Sequence, residues 1–275
     1  MKKRTIYFIG GLPRSGSTLL TNLLAQNPKF HVTSTSALLH LMNIVKDNWT
    51  DLGAFKATGI ENSLPRIRKS LRGMLLDFYN DEFEKDLIVF QKDRAIMNNI
   101  EFMEEVLDAK IKIITCVRPI KDITSSFEKL YLKNPLIKSS LYSNDIARIS
   151  TYSRAADLLS KTGVIGVVWN MIMDVINRGY ADRLLVVPFD NLVTDPVSVL
   201  DGLHGALDIE RYDYKLTDFE QLICEDDSVY GIPGLHDIQT DKIVNKESDA
   251  LNILGAQIVS EIETNFNNEL WKQEK

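Results

Sequence analysis

Continuous apolar runs punctuate the chain at Ile6–Ile9, Leu87–Phe90, Ile111–Val117 and Leu184–Val187. Each is too short for a stable helix, is rich in Ile, Val or Phe, and lacks polar alternation, which predicts strands buried on both faces. Between them apolar residues recur every three to four positions. That spacing predicts helices over Thr18–Ala25, Leu64–Tyr79, Ile96–Leu107, Lys121–Leu132, Asn144–Ser160, Val164–Gly179 and Val197–Leu207, with a last one at about Ala250–Trp271. Strands alternating with helices predict an α/β fold: a central parallel sheet flanked by helices, with ligands bound at the carboxyl ends of the strands. No internal repeat, low-complexity linker or shift in composition divides the chain, so residues 1–275 are expected to form a single domain.

Composition narrows the setting. The longest apolar run, Val164–Trp169, falls far short of the ~18–20 residues that span a bilayer, so no membrane helix is expected. Lys2-Lys3-Arg4 resembles the start of a signal peptide, but the apolar segment behind it is too short for one, and the mature chain is expected to begin near Met1. A formal net charge of −6 argues against a broad nucleic-acid surface, so any polyanion must be held locally. Cys116 and Cys224 are too few for a disulfide framework, which fits a reducing, cytoplasmic setting.

The most informative stretch joins the first strand to the first helix: Gly10-Gly11-Leu12-Pro13-Arg14-Ser15-Gly16-Ser17-Thr18, followed by leucines at helical spacing. Glycines between a strand and a helix let backbone N–H groups wrap an anion at the helix N-terminus. The spacing fits the phosphate-loop pattern GxxxxGK[ST] at Gly11, Gly16 and Thr18, except that Ser17 stands where a nucleotide triphosphatase carries its lysine. Arg14 supplies the charge from inside the loop instead, as a planar fork suited to oxyanions. The bland alternative is a glycine turn with no ligand, and the functional one is a degenerate phosphate-loop kinase using ATP and Mg²⁺.

Pro13-Arg14-Ser15-Gly16-Ser17-Thr18 resembles the 5′-phosphosulfate loop of the sulfotransferase family, in the style of its tyrosylprotein and bacterial-type members. The resemblance implies that Pro13, Arg14, Ser15, Gly16, Ser17 and Thr18 bind the 5′ end of 3′-phosphoadenosine 5′-phosphosulfate (PAPS), the sulfuryl donor. It extends to the third strand, where Val117 is followed by Arg118 and, eight residues on, by Ser126; the equivalent arginine and serine of the family bind the 3′-phosphate. Two anion sites in this order suit PAPS better than ATP, which needs one contiguous cradle. Between them the run Leu87–Phe90 leads to Lys92, the position of the family's catalytic lysine, which would neutralise charge on the leaving phosphate. Leu184–Leu192, with Phe189-Asp190, resembles a late strand and turn of the family and is read as scaffold.

The resemblance implies a sulfotransferase that transfers a sulfuryl group to a hydroxyl of a small-molecule, carbohydrate or peptide acceptor, with no metal. It departs at the general base. Relatives take the acceptor proton with a glutamate after the first helix or a histidine two residues beyond the lysine; here those places hold the hydroxyl cluster Thr33–Ser36 and Arg94. Asp93, His31 and His40 remain as candidates, and a PAPS- or adenosine-bisphosphate-binding protein without turnover stays open as an alternative. The basic run Arg66–Arg72 puts Arg68 and Arg72 on one helix face, either solvated or facing an anionic acceptor. Trp169 is expected in the core, and His236, in a turn-rich loop with no partner legible nearby, is expected to be structural.

Overall fold

The computed structural model describes residues 4–245 and 247–266. Residues 1–3, including Lys2 and Lys3, and the last part of the helix expected over 250–271 lie outside the described residues. Five strands form one parallel sheet in the order β2-β3-β1-β4-β5. In chain order these are β1 (Ile6–Gly11), β2 (Phe30–Thr35), β3 (Ile88–Lys92), β4 (Ile113–Val117) and β5 (Leu184–Pro188). The helices up to β4 are α1 (Ser17–Leu24), α2 (Leu38–Asn48), α3 (Gly53–Thr58), α4 (Ile60–Phe78), α5 (Asn80–Glu84) and α6 (Ile100–Leu107). Beyond it come α7 (Ile120–Lys133), α8 (Thr151–Leu159), α9 (Val164–Asn177), α10 (Phe189–Thr194), α11 (Pro196–Leu207), α12 (Ala250–Leu254) and α13 (Ala256–Asn265).

Neighbouring residues of the central strands point to opposite faces, and both faces are covered, which explains their unbroken hydrophobicity. Phe8, Val89 and Ile113 face a core shared with α4, α6, α7 and α9; Ile9, Phe90, Ile114 and Cys116 face the other, closed by α1 and α11. β2 escaped the apolar-run criterion because it is an edge strand. Phe30 and Val32 are buried, while His31 and Thr33, which alternate with them, are only half-buried, so polar residues interleave.

Three helix boundaries moved for local reasons. The segment 144–160 is not one helix: a short 3-10 turn at Ile146–Arg148 precedes α8, whose start is set by a capping box in which Ser150 and Ser153 bond each other's backbone. The last helix breaks at Gly255, whose φ of 83° is left-handed, into α12 and α13. α4 begins four residues earlier than Leu64 and carries the exposed Pro65 inside it. One stretch of the described residues, Thr151–Asn177, is long and apolar enough by length and composition to cross a membrane. It comprises two helices, α8 and α9, whose Leu158, Ile165, Val168 and Ile172 belong to the first core.

Candidate active site

β1 lies between β3 and β4, so the loops leaving all three strands open on one edge of the sheet. Gly11 pairs with Cys116 across β1 and β4 at φ 108°, where a Cβ would lie 2.1 Å from the Cys116 carbonyl oxygen, so no larger residue fits. The loop is then pinned to β4: Leu12 N–H donates to Cys116 O at 2.9 Å, and the Ser15 hydroxyl contacts the carbonyls of Leu12 and Cys116 at 2.5 and 3.0 Å. Gly16, at φ 89°, caps α1 with no side chain on the first-turn N–H groups. Those N–H groups face a cavity of about 510 Å³ lined by Pro13, Arg14, Gly16, Ser17, Thr18, Lys92, Asp93, Arg94 and Arg118. Ser15 is wholly buried behind the loop and shapes it through its carbonyl contacts.

Arg14 and the second motif meet directly. Arg14, itself at a left-handed φ of 55°, donates from Nε to Ser126 Oγ at 3.1 Å and from Nη1 to Leu235 O, while Arg118 Nη1 donates to Arg14 O at 3.3 Å. Sequence reading placed the Arg14 fork on the first anion; in the fold it reaches across to Ser126 and bridges the two loops. The Arg118 guanidinium stacks 4.2 Å from the centre of the Phe189 ring, and the same ring is what a Cβ on Gly16 would strike at 2.9 Å. Phe189 therefore sets the spacing between the two loops, a role the sequence alone did not suggest. Burial holds both guanidinium pKa values below the ordinary arginine range, and for Arg14 the neighbouring Arg118 charge adds to this. An anion between them would relieve both effects.

At the end of β3, Lys92 Nζ meets Glu225 Oε1 at 3.0 Å, both side chains about one-tenth exposed. Glu225 comes from the long irregular segment after α11, where no periodicity marks any residue. Its Oε1 also accepts from Thr35 N at 3.1 Å and Thr35 Oγ1 at 3.0 Å, and Thr33 Oγ1 accepts from Lys92 N at 3.0 Å. Thr33 and Thr35 thus hold the Lys92–Glu225 pair. Burial lowers the Lys92 pKa, with Glu225 opposing it; burial raises that of Glu225, but Lys92 and His236 outweigh this and leave it below the usual carboxylate range. A carboxyl depressed on folding stabilises the fold above its unfolded pKa and loses that contribution as pH falls through its folded value, so the tie persists at neutral pH.

The base candidates separate. Asp93 is buried and lines the cavity, its carboxyl pushed up by burial although Oδ1 accepts from Ala95 N at 2.9 Å. His31 pairs with Glu82 at 3.7 Å, packs on Tyr79 and does not line the cavity; exposed His40 lines a different one, with Asn43 and Lys46. Arg68 pairs with Glu105, and Arg72 donates to the carbonyls of Val106 and Leu107 at the end of α6, so these arginines dock one helix on another. Trp169 lies in the core against Phe266. His236, expected to be structural, lines the cavity and contacts Asp227 at 2.5 Å.

No curated protein matches the chain. Solved structures similar to it include the sulfotransferase domain from the Synechococcus PCC 7002 olefin synthase, with a TM-score of 0.50 and 18% identity over 92% of this chain and 94% of that one. The sulfotransferase domain from the curacin biosynthetic pathway superposes with a TM-score of 0.57 and 16% identity over 96% and 98% of the two chains. At such identities they speak to the fold alone. The family model described as "Sulfotransferase family" matches residues 7–213, from β1 past the end of α11. A match that takes in both loops at the sheet edge and the strands that carry them places this chain in the sulfotransferase family.

Proposed function

We propose that the chain transfers a sulfuryl group from PAPS to a hydroxyl acceptor, with residues 1–275 serving as one sulfotransferase domain. The observation that carries this reading is the contact of Arg14 with Ser126 and of Arg118 with Arg14 O, which joins the loop after β1 to the loop and helix after β4, the two segments that the sequence assigns to the two anions. Pro13, Arg14, Ser15, Gly16, Ser17 and Thr18 would hold the 5′ end, through loop and helix N–H groups at every position but Pro13, which shapes the loop, and Arg118 with Ser126 the 3′-phosphate. PAPS supplies the activated sulfuryl group. Lys92 stands at the end of β3, next to the β1 loop and lining the same cavity, where its ammonium would neutralise charge on the departing phosphate oxygen. Ser17 in place of a lysine disfavours the kinase alternative. The free thiols of Cys116 and Cys224 suit a reducing, cytoplasmic setting.

Titration calorimetry tests the nucleotide assignment. Arg118→Ala is expected to weaken adenosine 3′,5′-bisphosphate binding by about 1.5–3 kcal/mol, the value of a charge-assisted contact, and to leave adenosine 5′-phosphosulfate nearly unaffected because that ligand has no 3′-phosphate. Equal losses for the two ligands refute the assignment, and ATP·Mg²⁺ binding more tightly than the bisphosphate supports a kinase.

A further inference from the structure

Three groups of the segment 225–236, Asp227, His236 and Glu225, lie in series leading to Lys92. Asp227 holds His236 at two points: Oδ1 meets ring Nδ1 at 2.5 Å, and Oδ2 accepts from the His236 backbone N–H at 2.9 Å. Gln221 Nε2 donates to His236 O at 3.0 Å, and the Tyr230 ring lies 5.8 Å from the imidazole, so the ring has little freedom. In the neutral imidazole the Asp227 contact places the ring proton on Nδ1, which puts the lone pair on Nε2. Nε2 is 3.7 Å from Glu225 Oε2, beyond hydrogen-bond reach, and the side chain, 15% exposed, borders the cavity. Glu225 Oε1 in turn meets Lys92. Asp227, His236, Glu225 and Lys92 therefore form a carboxylate–imidazole–carboxylate–ammonium row ending where a leaving group would sit.

We propose that His236 is the general base of the transfer, with Asp227 and Glu225 as positioning residues; this rests on the sulfotransferase reading above. His236 Nε2 takes the acceptor's hydroxyl proton as the acceptor oxygen bonds to sulfur. The bond between sulfur and the 5′-phosphate oxygen breaks, its electron pair stays on that oxygen, and Lys92 neutralises it. The imidazolium so formed lies between the carboxylates of Asp227 and Glu225, which stabilise it until it returns the proton to solvent. Glu225 also restrains Lys92, so one carboxylate sets the spacing between base and ammonium. The carboxylate Thr35 binds comes from residue 225, distant in sequence, although the family's β2-derived glutamate is missing.

The test pairs histidine NMR with kinetics. Charged and titratable groups bearing on His236 are Asp227, Glu225 and Tyr230 of its own segment, Lys92 and Arg94 of the β3 end, and Arg14 through the adjacent Leu235 carbonyl. In ¹³C,¹⁵N-histidine NMR of the full chain, the ring resonances lost in His236→Gln are expected to carry the signature of a proton held on Nδ1, and to lose that signature in Asp227→Asn, which removes the carboxylate that Nδ1 meets. Transfer from [³⁵S]PAPS is measured to a panel of water, a phenol, a sugar alcohol and a tyrosyl peptide, using the fastest. His236→Gln is expected to lose about 10²-fold in kcat and the acidic limb of the pH profile, while adenosine 3′,5′-bisphosphate affinity stays within twofold. Asp227→Asn is expected to lose about tenfold and to move that limb to lower pH. A His236→Gln rate within threefold of wild type, an acidic limb that persists in it, or a wild type that binds the bisphosphate yet transfers to nothing, water included, overturns the assignment. An acidic limb lost in Asp93→Asn instead moves the base to Asp93. Failure of the wild type to bind the bisphosphate removes the sulfotransferase reading itself.

Discussion

Lys92→Ala is expected to lower kcat by about 10²- to 10³-fold while PAPS affinity changes little, because its charge matters most as the sulfur–oxygen bond breaks. The geometry sharpens this expectation. Lys92 is nine-tenths buried, fixed by Glu225 and by its own backbone bond to Thr33, so it need not reorganise at the moment of reaction. Lys92→Arg is expected to recover little, since a planar guanidinium cannot place a compact charge at one oxygen and would have to reshape the Glu225 contact. Because Lys92→Ala leaves the Glu225 carboxylate without its cation, Lys92→Ala/Glu225→Gln is the matched control. Single-turnover kinetics and bisphosphate calorimetry on the three variants separate chemistry from folding. Near-normal turnover in Lys92→Ala removes the lysine from the mechanism and leaves the loop assignment standing.

Glu128→Ala is expected to cost about 3–5 kcal/mol of stability, read from urea unfolding, because it strands a buried arginine. Glu128 on α7 receives Arg154 Nε at 2.8 Å and Nη2 at 2.5 Å, along with the Thr151 hydroxyl at 3.0 Å, and both charged side chains are under a tenth exposed. Arg154 also donates to Arg148 O at 2.7 Å and lies 3.9 Å over the Tyr131 ring. Removing one partner leaves the other charge desolvated and unpaired, whereas Glu128→Leu/Arg154→Met removes both and is expected to recover most of the loss. This pair clamps α8 onto the helix that carries Ser126, so the same variant tests whether the second anion loop depends on that clamp. A cost below about 1 kcal/mol in Glu128→Ala would show that the pair is solvated in the folded protein.

Much of the architecture was legible because local rules agree with the fold. The central strands are buried on both faces and so read as unbroken apolar runs, and Gly11 and Gly16 sit at left-handed φ values where other residues are disfavoured. The edge strand β2 was not legible: half its residues face away from the core, and its Thr and Ser positions resemble a loop. Helix ends moved wherever a cap or a glycine outweighed apolar periodicity, as at Ser150 and Gly255.

The candidate site divides along the same line. Residue type and spacing near the strand ends determined where Arg14, Lys92, Arg118 and Ser126 could serve, because parallel topology delivers every such loop to one edge. What each of them touches was decided only in three dimensions. Arg14 turns toward Ser126, Arg118 rests on Phe189, and Lys92 meets Glu225, partners 112, 71 and 133 residues away along the chain. No local pattern encodes contacts at such separations, since the side chains are brought together by sheet order and by the packing of an irregular segment. His236 is the sharpest case: as sequence it is a loop histidine without a partner, and folding brings the segment 225–236 together so that Asp227 fixes its ring, Glu225 lies beside its other nitrogen, and the residue borders the same cavity as Lys92.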